Sequence, residues 1–128
     1  MGNLRELAVS LLSKTTGVDM TSVAKQTLYT CPIGKVGYVT EVVIVDPSAS
    51  LAGGTSYSFG RNSAGDDWIS AIDLSSLTTS GTGYTFVRPA NGAEAIEIAT
   101  TEIFGINAAT AATAGTCTAT VFVFGFVI

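Results

Sequence analysis

The chain contains no histidine. That absence removes the usual general base, the most frequent metal ligand and the side chain that changes charge near neutral pH. Serines are plentiful, yet a Ser-His-Asp triad cannot be assembled without its middle member. Charge is scarce as well. Only 12% of residues are charged, about half the usual share, so a monomer would have few groups with which to solvate its surface. The six basic residues, Arg5, Lys14, Lys25, Lys35, Arg61 and Arg88, are scattered along the chain. They form no stripe that could neutralise phosphates, and nucleic-acid binding is not expected. Cys31 and Cys117 are the only cysteines, and they make neither a CxxC pair nor a zinc-ligand spacing. Free thiols on strands, a disulfide joining the first and last strands, and a link between chains all stay open. Long apolar runs are missing too. The leucines near the N-terminus are interrupted by Arg5, Glu6 and Lys14, so neither a signal peptide nor a membrane span is expected there.

What is present is a 128-residue chain with 47% hydrophobic residues. That is the length of one domain, with enough apolar material for a core. Ser, Thr, Asn and Gly must supply most of the polar surface, which is the style of all-β secreted and virion proteins. The most telling stretch is the last. From Thr116 onward, Thr116, Thr118, Thr120, Phe122, Phe124, Phe126 and Ile128 fall on one face of an extended strand. Cys117, Ala119, Val121, Val123, Gly125 and Val127 fall on the other. Both faces become apolar toward the end, so this strand needs cover on two sides. Left open, it would be an aggregation hazard.

Residues 4–14 place Leu4, Leu7, Ala8, Leu11 and Leu12 at helical spacing, which predicts a short amphipathic helix that must dock on something. Residues 15–26 read as a polar connection. Residues 1–26 are therefore expected to form a helix and linker arm, and residues 27–128 a β-sandwich domain. Strands are expected over 27–31, 36–45, 55–59, 68–74, 84–88, 95–99, 103–106 and 116–128, and residues 107–115 as an Ala/Thr-rich loop. Pro32-Ile33-Gly34-Lys35, Gly53-Gly54 and Asn91-Gly92 supply turn chemistry between them. About eight short strands at close spacing argue for an antiparallel β-sandwich of jelly-roll type.

No constellation carries catalysis. Asp66, Asp67 and Asp73 match no EF-hand spacing and read as a solvated loop. Glu94 and Glu97, with Glu102 nearby, do not form a glycosidase pair, because Glu94 and Glu97 point to opposite faces of a strand. Glu41, within an apolar strand, reads as a structural ion-pair member with Lys35 or Arg88, or as an interface residue. Trp68, Tyr57 and Tyr84 are candidate glycan contacts, weighed against core or interface packing.

The run Tyr29-Thr30-Cys31-Pro32-Ile33-Gly34-Lys35-Val36-Gly37-Tyr38-Val39-Thr40-Glu41-Val42-Val43-Ile44 resembles the opening of small phage virion-associated β-sandwich proteins, of the capsid decoration, cement or fibre-base type. The resemblance continues through Asp46-Pro47-Ser48, Tyr57-Ser58-Phe59-Gly60 and the Ala/Thr-rich loop before the last strand. It covers residues 27–128 and implies a sandwich, often trimeric, with no catalytic residues to carry over. The expectation is a structural virion protein, made in the host cytoplasm, not an enzyme, needing no cofactor or metal and binding no membrane. Its partners would be further copies of itself, as a trimer, and a major capsid or other virion protein. Leu4, Leu7, Leu11, Phe122, Phe124 and Phe126 are the candidate interface residues. The alternative is a glycan- or receptor-binding module on a tail or fibre.

Overall fold

The period of two in the last strand decides the layout. In the computed structural model, which describes residues 9–78, the main chain of 84–87, and residues 95–128, Ala119, Val121 and Val123 are buried. The alternate residues Phe122, Phe124 and Phe126 are only partly so. One face of this strand thus lies in a core and the other on the outside of a sheet. The described residues form nine strands: β1 (Ser10–Asp19), β2 (Gln26–Thr30), β3 (Gly37–Val45), β4 (Ser56–Gly60), β5 (Ile69–Ile72), β6 (Tyr84–Val87), β7 (Ile96–Ile98), β8 (Ile103–Thr110) and β9 (Thr118–Val127).

They make two antiparallel sheets. The first runs β1-β9-β3-β6, with β7 also paired to β3; the second runs β2-β8-β4-β5. The chain changes sheet at nearly every connection, so neighbours in a sheet are mostly distant in sequence. This is the arrangement of a β-sandwich, in which each strand gives one face to a shared core. The core between the sheets contains Val39, Val42, Ile44, Val121 and Val123 from the first and Leu28, Tyr57, Phe59, Phe104 and Ile106 from the second. Phe59 and Phe104 stack at 6.5 Å between ring centroids, and Trp68 meets Phe104 edge-on at 5.6 Å. Such aromatic pairs add about 0.5–1.5 kcal/mol beyond area burial.

The N-terminal helix is not found. Of the expected helix, residues 10–14 lie in β1, and there is no helix among the described residues; Leu4 and Leu7 lie outside them. The expected connection over 15–26 is also corrected, because β1 continues to Asp19 and β2 begins at Gln26. The physical reason lies in β9, which without β1 would expose one whole edge of unpaired amides beside a two-sided apolar strand. β1 covers that edge from Ser10 opposite Gly125 to Asp19 opposite Thr118. Two bulges, between Leu11 and Ser13 and between Thr15 and Val18, break the strict alternation and hide the strand in the sequence. Gly17, at φ 69°, supplies the left-handed residue in the second bulge.

The outer edge of β1 is stitched to the second sheet. The hydroxyls of Ser13 and Thr15 both donate to the Leu28 carbonyl, at 2.6 and 3.4 Å. At the β9–β3 pairing, a side chain on Gly125 would run into the Tyr38 carbonyl, so only glycine lets the two strands close at the bulge after Val39. The last correction concerns 107–115. Asn107 to Thr110 extend β8, pairing with β4 from Ser56 opposite Thr110 to Gly60 opposite Gly105, and only the remainder is loop.

Candidate functional site

The outer face of the first sheet is the most distinctive surface of the chain. β9 sits between β1 and β3, so its outward residues form a central ridge. Phe122 and Phe124 stack along the strand with centroids 6.4 Å apart, and Phe126 stacks on Tyr38 of β3 at 5.1 Å. The pairing registers set what flanks them. Leu11 and Glu41 lie opposite Phe124 from the two sides, Lys14 and Val43 lie opposite Phe122, and Tyr38 lies opposite Phe126. Leu11 is 49% exposed. The Lys14 ammonium lies 5.7 Å from the Phe122 ring centroid, within cation–π range.

Among the described residues, charge on this face is divided by position. The cation Lys14 stands on the β1 flank, while Glu41 on β3 and Glu97 on β7 stand on the other. The Tyr38 hydroxyl donates to Glu97 at 3.2 Å. That bond to the carboxylate, more than burial, holds the phenol above its ordinary pKa. Glu41 also interacts within the chain. Of the interface residues expected from sequence, Leu11, Phe122, Phe124 and Phe126 come together here. The flanking Lys14, Tyr38 and Val43 were missed; their signal is the register with β9, which the sequence does not contain.

The glycan-contact expectation is corrected at Tyr57. This residue is 1% exposed. Its hydroxyl donates to the Met20 carbonyl at 2.6 Å and accepts from the Ala112 amide at 2.9 Å. It is a buried peg joining β4, the end of β1 and the loop after β8, and no sugar can reach it. Trp68 packs its ring on Phe104 against the core. Tyr84 enters β6 opposite Val45, and its side chain lies outside the described residues.

The acidic groups singled out by sequence hold loops. Asp67 accepts from the Arg61 amide at 2.7 Å and pairs with its guanidinium at 3.3 Å. Asp66 accepts from the Asn62 side chain at 2.9 Å. Asp73 takes both the amide and the hydroxyl of Ser75, at 2.9 and 2.6 Å, and these bonds lower its pKa. Arg61 also reaches the Glu97 carbonyl at 2.8 Å and Glu102 at 3.7 Å. Lys25 caps the carbonyls of Arg61, Asn62 and Ile103, at 3.1, 2.8 and 3.3 Å. Glu94 lies outside the described residues, and Glu97 and Glu102 serve in these separate local contacts. Cys31 and Cys117 are both free and buried, which settles the open question of an intrachain disulfide against it.

No protein-family model matches this chain, and no curated protein matches it.

Proposed function

We propose that this protein is a structural component of a phage particle that decorates or stabilises the shell through contacts between copies and with a neighbouring capsid or other virion protein. The fold we assign is a jelly roll. Its first sheet, β1-β9-β3 followed by β6 and β7, and its second, β2-β8-β4-β5, follow from folding a long antiparallel ribbon over on itself. That architecture serves in viral capsid and lectin domains alike, so fold alone does not choose between assembly and sugar binding.

The observation that supports assembly is the aromatic ridge on the outer face of the first sheet. A surface of Phe122, Phe124, Phe126, Tyr38, Leu11 and Val43 on a chain with 12% charged residues suits burial against another protein. The mechanism is physical. Apolar area removed from water stabilises by about 25 cal/mol per Å² before association costs. Repetition on a symmetric shell then multiplies weak contacts through avidity. The assembled unit is a homotrimer in this reading, as the resemblance implies. No catalytic step is assigned, and no cofactor or metal is called on.

The test is a mass-spectrometric count of copies in purified particles from the phage that encodes the chain, together with a glycan-array screen of the isolated protein. High copy number and no sugar binding are expected. Absence from particles, or a few copies with strong binding to one glycan class, would overturn the proposal in favour of a receptor-binding module.

A further inference from the structure

Among the described residues, the outer face of the first sheet carries opposite charges on its two flanks, with the phenylalanine ridge between them. We propose that this face is a twofold joint between copies of the chain, formed so that the β1 flank of each copy meets the β3–β7 flank of the other across the ridge, a pairwise contact separate from the one that closes the trimer of the assembly reading. The inference deepens the assembly reading, on which it rests for the existence of an oligomer, by naming the surface and the way round that it is used.

Three observations select a second copy as the occupant. The first is charge. Lys14 is on β1, and Glu41 and Glu97 are on β3 and β7. The face therefore complements itself when flanks of opposite kind are brought together, and opposes itself when like flanks meet. The carboxylates need not be idle for this. Glu97 accepts one hydrogen bond from Tyr38 and has further lone pairs to offer.

The second observation is size. A ten-residue β9 in a sheet four strands wide spans about 34 by 19 Å, on the order of 650 Å². That is most of the roughly 800 Å² that each partner contributes to a stable interface. The third is the chemistry of the centre. Phe122, Phe124 and Phe126 stand between a cation flank and an acid flank, an aromatic centre with a charged rim, which is the layout of an interface core that gives up its water on association.

The joint is read by sedimentation of the full chain, compared with Phe124→Ser, Lys14→Glu, Glu97→Lys and the double variant Lys14→Glu/Glu97→Lys. Circular dichroism confirms that each keeps its β signal. Should Phe124→Ser fail to fold, Leu11→Ser, at an exposed site on the same face, replaces it. Wild type should be an oligomer. Phe124→Ser and Lys14→Glu should each weaken association by about tenfold or more, and the double variant should associate more tightly than either charge reversal alone. Monomeric wild type, or an oligomer that these variants leave unchanged, overturns the joint. So does a double variant no tighter than the single ones. An oligomer found in particles at high copy but indifferent to all four variants would leave the particle role standing while removing this face from it.

Discussion

Replacing Tyr57 with phenylalanine isolates one buried hydroxyl. In the wild type that hydroxyl donates to the Met20 carbonyl at 2.6 Å and accepts from the Ala112 amide at 2.9 Å. The variant keeps the ring in the core but removes both bonds. It does not strand both partners, because the Ala112 amide also donates to the Met20 carbonyl, at 3.2 Å. The cost is therefore about 1–2 kcal/mol, below that of two orphaned groups. For a domain of this size it lowers the melting temperature by roughly 3–8 °C. The alkaline side sharpens the test. Burial, foremost, holds the Tyr57 phenol above its ordinary value, against a smaller opposing effect of the Ala112 amide. The fold thus favours the neutral phenol. Its contribution is complete below about pH 10, the unfolded value, and is lost as pH rises through the raised folded value. Tyr57→Phe lacks that loss. Thermal melts from neutral to strongly alkaline pH should show the wild type ahead at pH 7 and the difference narrowing above about pH 10. Tyr29, whose phenol burial also raises, titrates in both proteins and cancels. A variant as stable as wild type at neutral pH, or a gap that widens in alkali, would refute the reasoning.

Other outcomes follow from the same packing. Deleting residues 1–20 should leave the chain unfolded or aggregated, as seen by circular dichroism and light scattering, because it strips β1 from β9; a soluble, fully β product would show that β1 is dispensable. Gly125→Ala should destabilise by about 1–3 kcal/mol in denaturant titrations, since the new methyl runs into the Tyr38 carbonyl. Asp19 and Asp73, held below their ordinary pKa chiefly by hydroxyl donors on Thr21 and Ser75, contribute stability above the unfolded carboxylate value that is lost as pH falls through the lower folded one. Asp73→Asn should accordingly flatten the acid limb of a pH-melting curve, and an unchanged limb would contradict that assignment.

The last strand was legible because its alternation survives intact, and the two faces read from Thr116 onward are the faces that β9 presents to the core and to the outside. β1 was not legible. Leu4, Leu7, Leu11 and Leu12 mimic a helical stripe, and the two bulges scramble the period of two that would have announced a strand. What fixes the conformation of this segment is the unpaired edge of β9, more than a hundred residues away in sequence, a tertiary demand that no local window contains. Tyr57 failed as a surface candidate for a related reason. Its strand, Ser56–Gly60, is buried along nearly its whole length, so neither side of the alternation marks water. On the outer face, the phenylalanines were visible in the sequence. Their neighbours Lys14, Tyr38 and Val43 become neighbours only through the registers of β1 and β3 with β9.

Thiol protection on the ridge tests the central claim, that the outer face of β9 is covered by another copy. Thr120 lies on that face, beside Phe122, and is partly exposed within one chain; cysteine there is nearly isosteric. Cys31 and Cys117, each 1% exposed, give little background. In Thr120→Cys, alkylation should be slow in concentrated protein and should accelerate on dilution as copies separate, while Ser70→Cys, exposed on β5 of the second sheet, reacts at one rate throughout. A Thr120→Cys thiol that reacts equally fast at every protein concentration would contradict the account.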